Sequence, residues 1–244
     1  MDYKHIYYPE SRFGGFSNVD GTLAFYHRVN ALIKLDSTVI DIGCGRGAYR
    51  DDPVPYRKQV RTLKGKCASV IGIDVDLNAQ ENPYLNEFRL ITSEIWPVED
   101  GSVDLCLADN VLEHIENPNN FFVECNRILK PDGYLCIRTP NLLSYVGLIA
   151  RLVPNQQHIA VLSKAKDRVI EQDVFPTYYR CNTIPSLRKT MTHYGFNACV
   201  YGYEAEPAYL SFSKIFYALG VILGRFTPNI FRVGIHAFGQ KQPR

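Results

Sequence analysis

The sequence predicts an α/β fold in which a mostly parallel sheet of seven strands carries helices on both faces. Short runs rich in β-branched residues recur along the chain, and segments with apolar residues at helical spacing separate many of them. The predicted strands cover residues 39–42, 68–76, 88–91, 104–110, 134–141, 197–204 and 231–238. A helical insertion precedes the last strand, which we expect to pair antiparallel with the sixth at the sheet edge.

The length and composition fit one globular domain covering residues 1–244. Of the 244 residues, 46% are hydrophobic and 21% charged, and the formal net charge is +2. That charge, without a dense Lys/Arg run, argues against a nucleic-acid partner, and no stretch is apolar for long enough to span a membrane. The seven cysteines have no C-x-x-C spacing, and the first residues lack a signal-peptide pattern. We therefore expect reduced thiols, a cytoplasmic location and no metal site.

The first predicted strand ends in a turn built from Gly43, Cys44, Gly45 and Gly47. Glycine lets the chain turn sharply after a strand and lets a ligand approach the main chain. The third glycine comes one residue earlier than in the dinucleotide fingerprint, and Asp41 precedes the first glycine by two residues. The turn and Asp41 are therefore candidate ligand-binding groups, and an ordinary tight turn is the alternative.

The second predicted strand ends in Asp74, Val75 and Asp76. An acid at this position of a βαβ unit accepts hydrogen bonds from ribose hydroxyls. That assigns Asp74 to the ribose of a cofactor, with Val75 beside it and Asp76 as the near alternative. An aspartate that caps the following helix is the structural alternative.

Further polar groups follow the third and fourth predicted strands. Ser93 and Glu94 come after the third strand, and Asp109 and Asn110 end the fourth. Because ligands bind at the carboxyl ends of the strands in open α/β sheets, we expect Asp109 and Asn110 in the same crevice as the glycine turn.

The residues after the fourth strand give the most specific motif of the chain. The sequence Leu112-Glu113-His114 is followed by a turn of residues 130–133, Lys-Pro-Asp-Gly, before the fifth strand. With the glycine turn, this ordered set resembles the class I S-adenosylmethionine (SAM) methyltransferases, especially their Leu-Glu-His O-methyltransferases. The resemblance implies a Rossmann-like fold and SAM as the cofactor, with the glycine turn and Asp41 holding its amino-acid end. It also implies that the loop with Ser93 and Glu94 lies beside the adenine, although Thr92 stands where the family most often has an aspartate.

Two residues are candidate catalytic groups. The resemblance places His114 near the transferred methyl group, where an imidazole can take a proton from a hydroxyl acceptor. A histidine that only shapes the pocket is the alternative. Tyr178 belongs to a Tyr-Tyr-Arg cluster that offers ring faces and phenol donors to an acceptor, and a buried aromatic pair is its alternative. Asn110 stands where some relatives place an acid of a metal site, so no metal is predicted.

The composition and the motifs divide the whole chain into five regions. We expect an N-terminal cover helix region in residues 1–37, a cofactor-binding core in 38–141, an acceptor-side region in 142–204, an apolar insertion in 205–230, and the last strand and tail in 231–244. Residues 208–226 of the insertion are unusually apolar. Packing in the core or in a homodimer, a lid, and peripheral contact with a membrane are the alternatives.

These observations predict an enzyme that transfers a methyl group from SAM to a small-molecule or glycan- or lipid-linked acceptor, at oxygen. The layout is similar to that of methyltransferases of surface-glycan and natural-product assembly. A nicotinamide oxidoreductase is disfavoured by the glycine spacing. A catalytically silent interaction module with the same fold is the remaining alternative.

Overall fold

The computed structural model describes residues 3–152 and 175–243. Their strands are β1 (Thr38–Ile42), β2 (Ser69–Asp74), β3 (Glu87–Leu90), β4 (Val103–Asp109), β5 (Leu129–Pro140), β6 (Phe196–Tyr203) and β7 (Gly234–Lys241). They form a sheet with the order β3-β2-β1-β4-β5-β7-β6, in which β7 runs antiparallel to both of its neighbours and the other pairs are parallel. The predicted α/β class with a mostly parallel sheet of seven strands is confirmed.

Two helices of the described residues precede β1, and the others lie between strands. They are α1 (Lys4–Tyr7), α2 (Gly21–Leu32), α3 (Pro55–Arg61), α4 (Pro118–Ile128), α5 (Tyr145–Leu152), α6 (Ile184–His193) and α7 (Lys214–Phe226). Asp20 caps α2, since its Oδ1 accepts a hydrogen bond from the Leu23 N–H at 2.9 Å.

The two faces of the sheet carry separate apolar clusters. Ile40 and Ile42 of β1 belong to the cluster that includes α4 and α6, whereas Val39 belongs to the one formed with α2 and α3. Side chains alternate between the faces of a strand, so Asp41 shares the face of Val39. The Asp41 carboxylate therefore lies on the α2 and α3 side, one residue before the end of β1.

The antiparallel strand β7 lies one position in from the sheet edge, between β5 and β6. The sequence predicted its pairing with β6 but not its pairing with β5. Ile235, His236 and Ala237 are each at most 2% exposed, so both faces of β7 are covered. Burial on both faces is typical of an inner strand, and β6 forms the edge of the sheet.

The turn before the fifth strand is part of β5 itself. Asp132 has a φ of 63°, in the left-handed region that aspartate tolerates, and the pairing register with β4 shifts between Val103 and Leu105. The strand therefore begins irregularly at Leu129 and becomes regular from Tyr134, where the sequence predicted its start.

The insertion before β7 contains α7, which covers the protein with only one face. Tyr217 and Val221 are buried, whereas Ile215 and Ile222 remain 73% and 53% exposed. In the part of the chain that the structure describes, no helix is both long and apolar enough to cross a bilayer. The seven cysteines are all free thiols.

Candidate functional site

The glycine turn lies against the carboxyl end of β2. The Gly43 N–H donates to the Ile73 carbonyl at 2.8 Å, and the Gly45 N–H donates to Asp74 Oδ2 at 2.9 Å. The structure thus brings together two groups that the sequence assigned to one cofactor, although they lie 29 residues apart. This contact defines the candidate cofactor crevice at the ends of β1 and β2.

Glycine is required in this turn for two different reasons. Gly43, Gly45 and Gly47 all have positive φ, at 61°, 50° and 69°. A Cβ on Gly43 would lie 2.7 Å from Val111 Cγ2, and a Cβ on Gly47 would lie 2.6 Å from Asn82 Oδ1, whereas nothing lies within 4 Å of the corresponding position on Gly45. The outer two glycines therefore permit close packing, and Gly45 leaves open space for a ligand.

Asn82 forms hydrogen bonds with the main chain of the glycine turn, and the sequence analysis missed this residue. Its Nδ2 donates to the carbonyls of Cys44 and Gly45 at 3.0 and 3.1 Å, and the side chain is buried. Its Oδ1 accepts from the Tyr84 N–H. No spacing rule connects an asparagine 35 residues after Gly47 with the turn, so only the fold reveals it.

Asp74 and Asp76, the two acids at the end of β2, differ in their contacts. Asp74 is 8% exposed, and its Oδ1 accepts from the Asp76 N–H while Oδ2 accepts from Gly45. Asp76 caps the short 3₁₀ helix Leu77–Glu81 by accepting from the Asn78 N–H. A carboxylate has about four acceptor sites, so Asp74 keeps capacity for ribose hydroxyls. Val75 beside it is 66% exposed.

Asp41 is the carboxylate of the crevice without a hydrogen-bond partner among the described residues. Removal from water and the nearby charge of Asp109 raise its pKa, Arg61 opposes the shift, and the resulting pKa is about 7. A carboxylate with this pKa carries a partial negative charge near neutral pH. It is suited to a cationic group of a ligand, which would complete its interactions.

Arg61 is a second residue of the crevice that the sequence analysis missed. Its guanidinium lies 4.4 Å from the ring centre of Tyr49 and 3.5 Å from Asp109 Oδ2. The Arg61 Nε atom is buried and has no hydrogen-bond partner among the described residues. An unpaired buried donor on a cation suits a carboxylate group of a ligand. The sequence did not indicate Arg61 as a site residue, because α3 is short and its position depends on packing against α2.

Asp109 was predicted to bind cofactor, and the structure shows it surrounded by protein donors. Arg138 Nε and Nη2 donate to its two oxygens at 2.6 and 2.8 Å, and the Tyr26 hydroxyl donates to Oδ2 at 2.9 Å. Burial acts to raise the Asp109 pKa, but the charges of Arg138 and Arg61 outweigh it and the pKa is lowered. These contacts join β4, β5 and α2, so they support a structural role.

The other predicted cofactor residues line the same sheet edge. Cys44 lies inside the turn, with its pKa raised by burial, so its thiol stays protonated at neutral pH. Asn110 has a φ of 57° and donates from Nδ2 to Asp109 Oδ1 at 2.9 Å. Ser93 and Glu94 lie in an exposed loop, where Ser93 Oγ donates to the Ile95 carbonyl. Contacts of these four with a cofactor stay predictions.

On the acceptor side, the Leu-Glu-His turn is tied to the segment that carries Tyr178. The N–H groups of Tyr178 and Tyr179 donate to the Glu113 carbonyl at 2.8 and 3.2 Å. His114 Nδ1 lies 2.8 Å from the Pro176 carbonyl oxygen. A carbonyl oxygen only accepts, so Nδ1 carries the hydrogen and the Nε2 of neutral His114 keeps its lone pair. The described residues offer no hydrogen-bond partner to that Nε2.

Glu113 anchors this turn from inside. Its Oε2 accepts from Thr139 Oγ1 at 2.9 Å, and Thr139 Oγ1 in turn accepts from Asn182 Nδ2 at 2.6 Å. The three side chains are buried, and burial raises the Glu113 pKa. The network fixes the main chain on which His114 stands, and the sequence analysis did not assign Thr139 or Asn182 to the site.

Comparison with known proteins agrees with this geometry. Residues 40–137 match the family described as a methyltransferase domain. The chain is 28% identical over 129 residues to the ubiquinone biosynthesis O-methyltransferase of Burkholderia thailandensis, covering 49% of this chain and 55% of that protein. It is 31% identical over 104 residues to the protein of the same name from Bartonella tribocorum, covering 42% and 41% of the two. The chain thus spans about half the length of these curated relatives.

Solved structures show the same fold across most of the chain. A SAM-dependent methyltransferase from Archaeoglobus fulgidus superposes with a TM-score of 0.55 at 17% identity and covers 98% of this chain and 100% of its own. The [4+2]-cyclase SpnF also has a TM-score of 0.55, at 14% identity, and covers 91% of this chain and 82% of its own.

These matches and the sheet order first define the chain as a Rossmann-like α/β protein with a ligand crevice at the ends of β1 and β2. The segment of residues 40–137, which contains the glycine turn, is similar in sequence to the methyltransferase-domain family.

Proposed function

We propose that this protein binds SAM in the crevice and transfers its methyl group to the oxygen of a small-molecule or glycan- or lipid-linked acceptor. The observation that carries the proposal is Asp41, a carboxylate with no partner among the described residues, beside a glycine turn whose Gly45 faces open space. The relatives named as O-methyltransferases support oxygen as the acceptor atom.

The residues present fit such a cofactor. Gly45 leaves room that a Cβ would fill, Asp74 keeps free acceptor sites for the ribose hydroxyls, and Asp41 suits the ammonium of the amino-acid end. Arg61, with its buried Nε unpaired, suits the carboxylate of the same end. When bound, SAM supplies a methyl group on a sulfonium that reacts directly with a nucleophile.

The protein then contributes alignment and proton transfer. Holding the donor and the acceptor in line supplies several kcal/mol through orientation. Neutral His114, oriented by the Pro176 carbonyl, takes the proton of the acceptor hydroxyl at Nε2. Tyr178, which is 38% exposed beside it, binds the acceptor through its ring and hydroxyl.

Calorimetric titration with SAM, S-adenosylhomocysteine and NADH tests the cofactor. We expect both sulfur compounds to bind and NADH not to bind, and the reverse would overturn the proposal. Transfer of a radiolabelled methyl group from SAM to a cell extract then tests activity. A chain that binds SAM but labels no product in extracts would be the silent interaction module instead.

The proposed base is tested by His114→Gln. We expect turnover to fall about 10²- to 10⁴-fold, the range of general acid–base catalysis, while the dissociation constant for SAM stays within twofold. Val123→Gln, an exposed change on the outer face of α4, is the control and should alter neither quantity. Unchanged turnover in His114→Gln would show that the histidine only shapes the pocket.

A further inference from the structure

One face of α7 is apolar and exposed along the whole helix. Phe212 precedes it, and the exposed apolar residues are Ile215 (73%), Phe216 (51%), Leu219 (47%), Ile222 (53%), Leu223 (64%) and Phe226 (80%). We call these seven residues the apolar face of α7. The opposite side of the helix is occupied, because a Cβ on Gly220 would meet Leu210 and Pro207 at 2.8 Å. At 1.5 Å per residue, the 13-residue helix presents a strip about 20 Å long.

The charged residues of the segment that carries this face all have one sign, whereas Glu204 lies against Gly224 on the covered side of α7. Residues 207–232 contain no Asp or Glu, and their charged residues are Lys214, Arg225 and Arg232. Lys214 and Arg225 are exposed and eleven residues apart, which is three helical turns. They therefore border the apolar face on one side, at its two ends. An amphipathic helix with basic residues along its polar boundary is typical of helices that lie in a membrane interface.

We propose that the apolar face of α7 docks onto the surface of an anionic lipid bilayer. The helix would lie parallel to the bilayer, with its phenylalanine, leucine and isoleucine side chains among the acyl chains and its two cations at the headgroups. A second copy of this chain fits the face less well. An antiparallel twofold dimer would bring the same basic border of each copy together.

The position of α7 connects this surface to the acceptor side. The helix packs on the turn Ala208–Leu210, and Tyr209 in that turn lies near enough to Glu113 for the carboxylate to help burial raise the tyrosine pKa. Docking would therefore hold the Leu-Glu-His turn close to the lipid surface. A lipid-linked acceptor follows from this geometry, and that part of the inference rests on the proposed function.

Co-sedimentation with vesicles tests the docking surface. The full chain is mixed with vesicles of phosphatidylcholine alone or with 30% phosphatidylglycerol. We expect strong partition to the anionic vesicles and at least tenfold weaker partition to the neutral ones. The double variant Ile215→Gln with Ile222→Gln should lose at least tenfold in partition, and Lys214→Ala with Arg225→Ala should lose most of the preference for anionic lipid.

The matched control is Leu35→Gln with Val123→Gln, which removes two apolar side chains of similar exposure, 84% and 47%, elsewhere on the surface. Its partition should equal that of the wild type, and an equal loss in this control and in Ile215→Gln with Ile222→Gln would overturn the inference. It would also be overturned by equal partition to both vesicles, or by a dimer that Ile215→Gln with Ile222→Gln dissociates while vesicle binding persists. SAM titration of each variant keeps a failure of docking separate from a failure of the proposed function.

Discussion

Two carboxylates at the same edge of the sheet have pKa values that are shifted in opposite directions. Asp41 of β1 and Asp109 of β4 lie on neighbouring parallel strands and influence each other's charge. Asp109 accepts hydrogen bonds from Arg138, Tyr26 and Asn110 and has a lowered pKa. Asp41 accepts none from the described residues, and its pKa is raised to about 7.

We propose that the difference separates a residue of the scaffold, Asp109, from a residue of the site, Asp41. The Arg138 guanidinium binds both oxygens of Asp109 and also donates to Thr22, so this carboxylate joins β5 and α2 to β4. Asp41 makes no such hydrogen bonds among the described residues. Because it is removed from water, its charged form is costly without a ligand. A group that destabilises the free protein and suits a cation is what a binding site requires.

The largest expected effect comes from removing the saturated carboxylate. Asp109→Ala leaves Arg138 charged and 15% exposed without its partner, which should lower the free energy of unfolding by about 3–5 kcal/mol. Glu87→Ala breaks the exposed pair with Arg89 and is the control, with an expected loss of about 1 kcal/mol or less. Urea denaturation at pH 7.5 measures both. Equal losses would remove the distinction between scaffold and site.

The second effect has the opposite sign. The folded-state pKa of Asp41 lies above its unfolded value, so its contribution to stability is complete below about pH 4 and is lost as the pH rises to about 7. Asp41→Asn should therefore raise the free energy of unfolding at pH 8 by roughly 2–4 kcal/mol and leave it unchanged at pH 4. The same variant should bind SAM about 10- to 100-fold more weakly. A destabilised Asp41→Asn protein at pH 8 would contradict the assignment.

The pH dependence of SAM binding follows from the same pKa. Protonation of Asp41 below about pH 7 removes the charge that attracts the cationic end of the cofactor. The dissociation constant of the wild type should then rise about tenfold per pH unit below that point. Asp41→Asn should show no such slope between pH 5.5 and pH 7. Calorimetric titrations at several pH values measure it, and parallel slopes in the two proteins would assign the proton elsewhere.

The smallest effect concerns Gly45 of the glycine turn. Gly45→Ala and Gly65→Ala both place a Cβ in open space at positive φ, +50° and +84°, so each should cost about 1–2 kcal/mol of stability. Only Gly45→Ala should weaken SAM binding, because only Gly45 lies in the crevice. Thermal unfolding and SAM titration of the two variants give the comparison. Weakened binding in Gly65→Ala would show that the loss comes from strain alone.

Predictions from the sequence were accurate where the signal was local. The strand at Thr38–Ile42 and the glycine turn each depend on residues within a few positions of one another. Contacts with partners far along the chain were not predicted. Asp109 was assigned to the cofactor because it ends a strand, and nothing near it indicated that Arg138 would bind it from the next strand.

By itself, the sequence determined the α/β class, the order of the strands along the chain and the group of residues at one sheet edge. Periodicity and turn chemistry act over a few residues and are legible without coordinates. Only the tertiary structure decided that β7 pairs with β5, that Asn82 and Arg61 belong to the crevice, and that Asp41 rather than Asp109 is left unpaired. Burial and charge pairing depend on what packs from distant segments, and that distance in sequence is the physical reason for the limit.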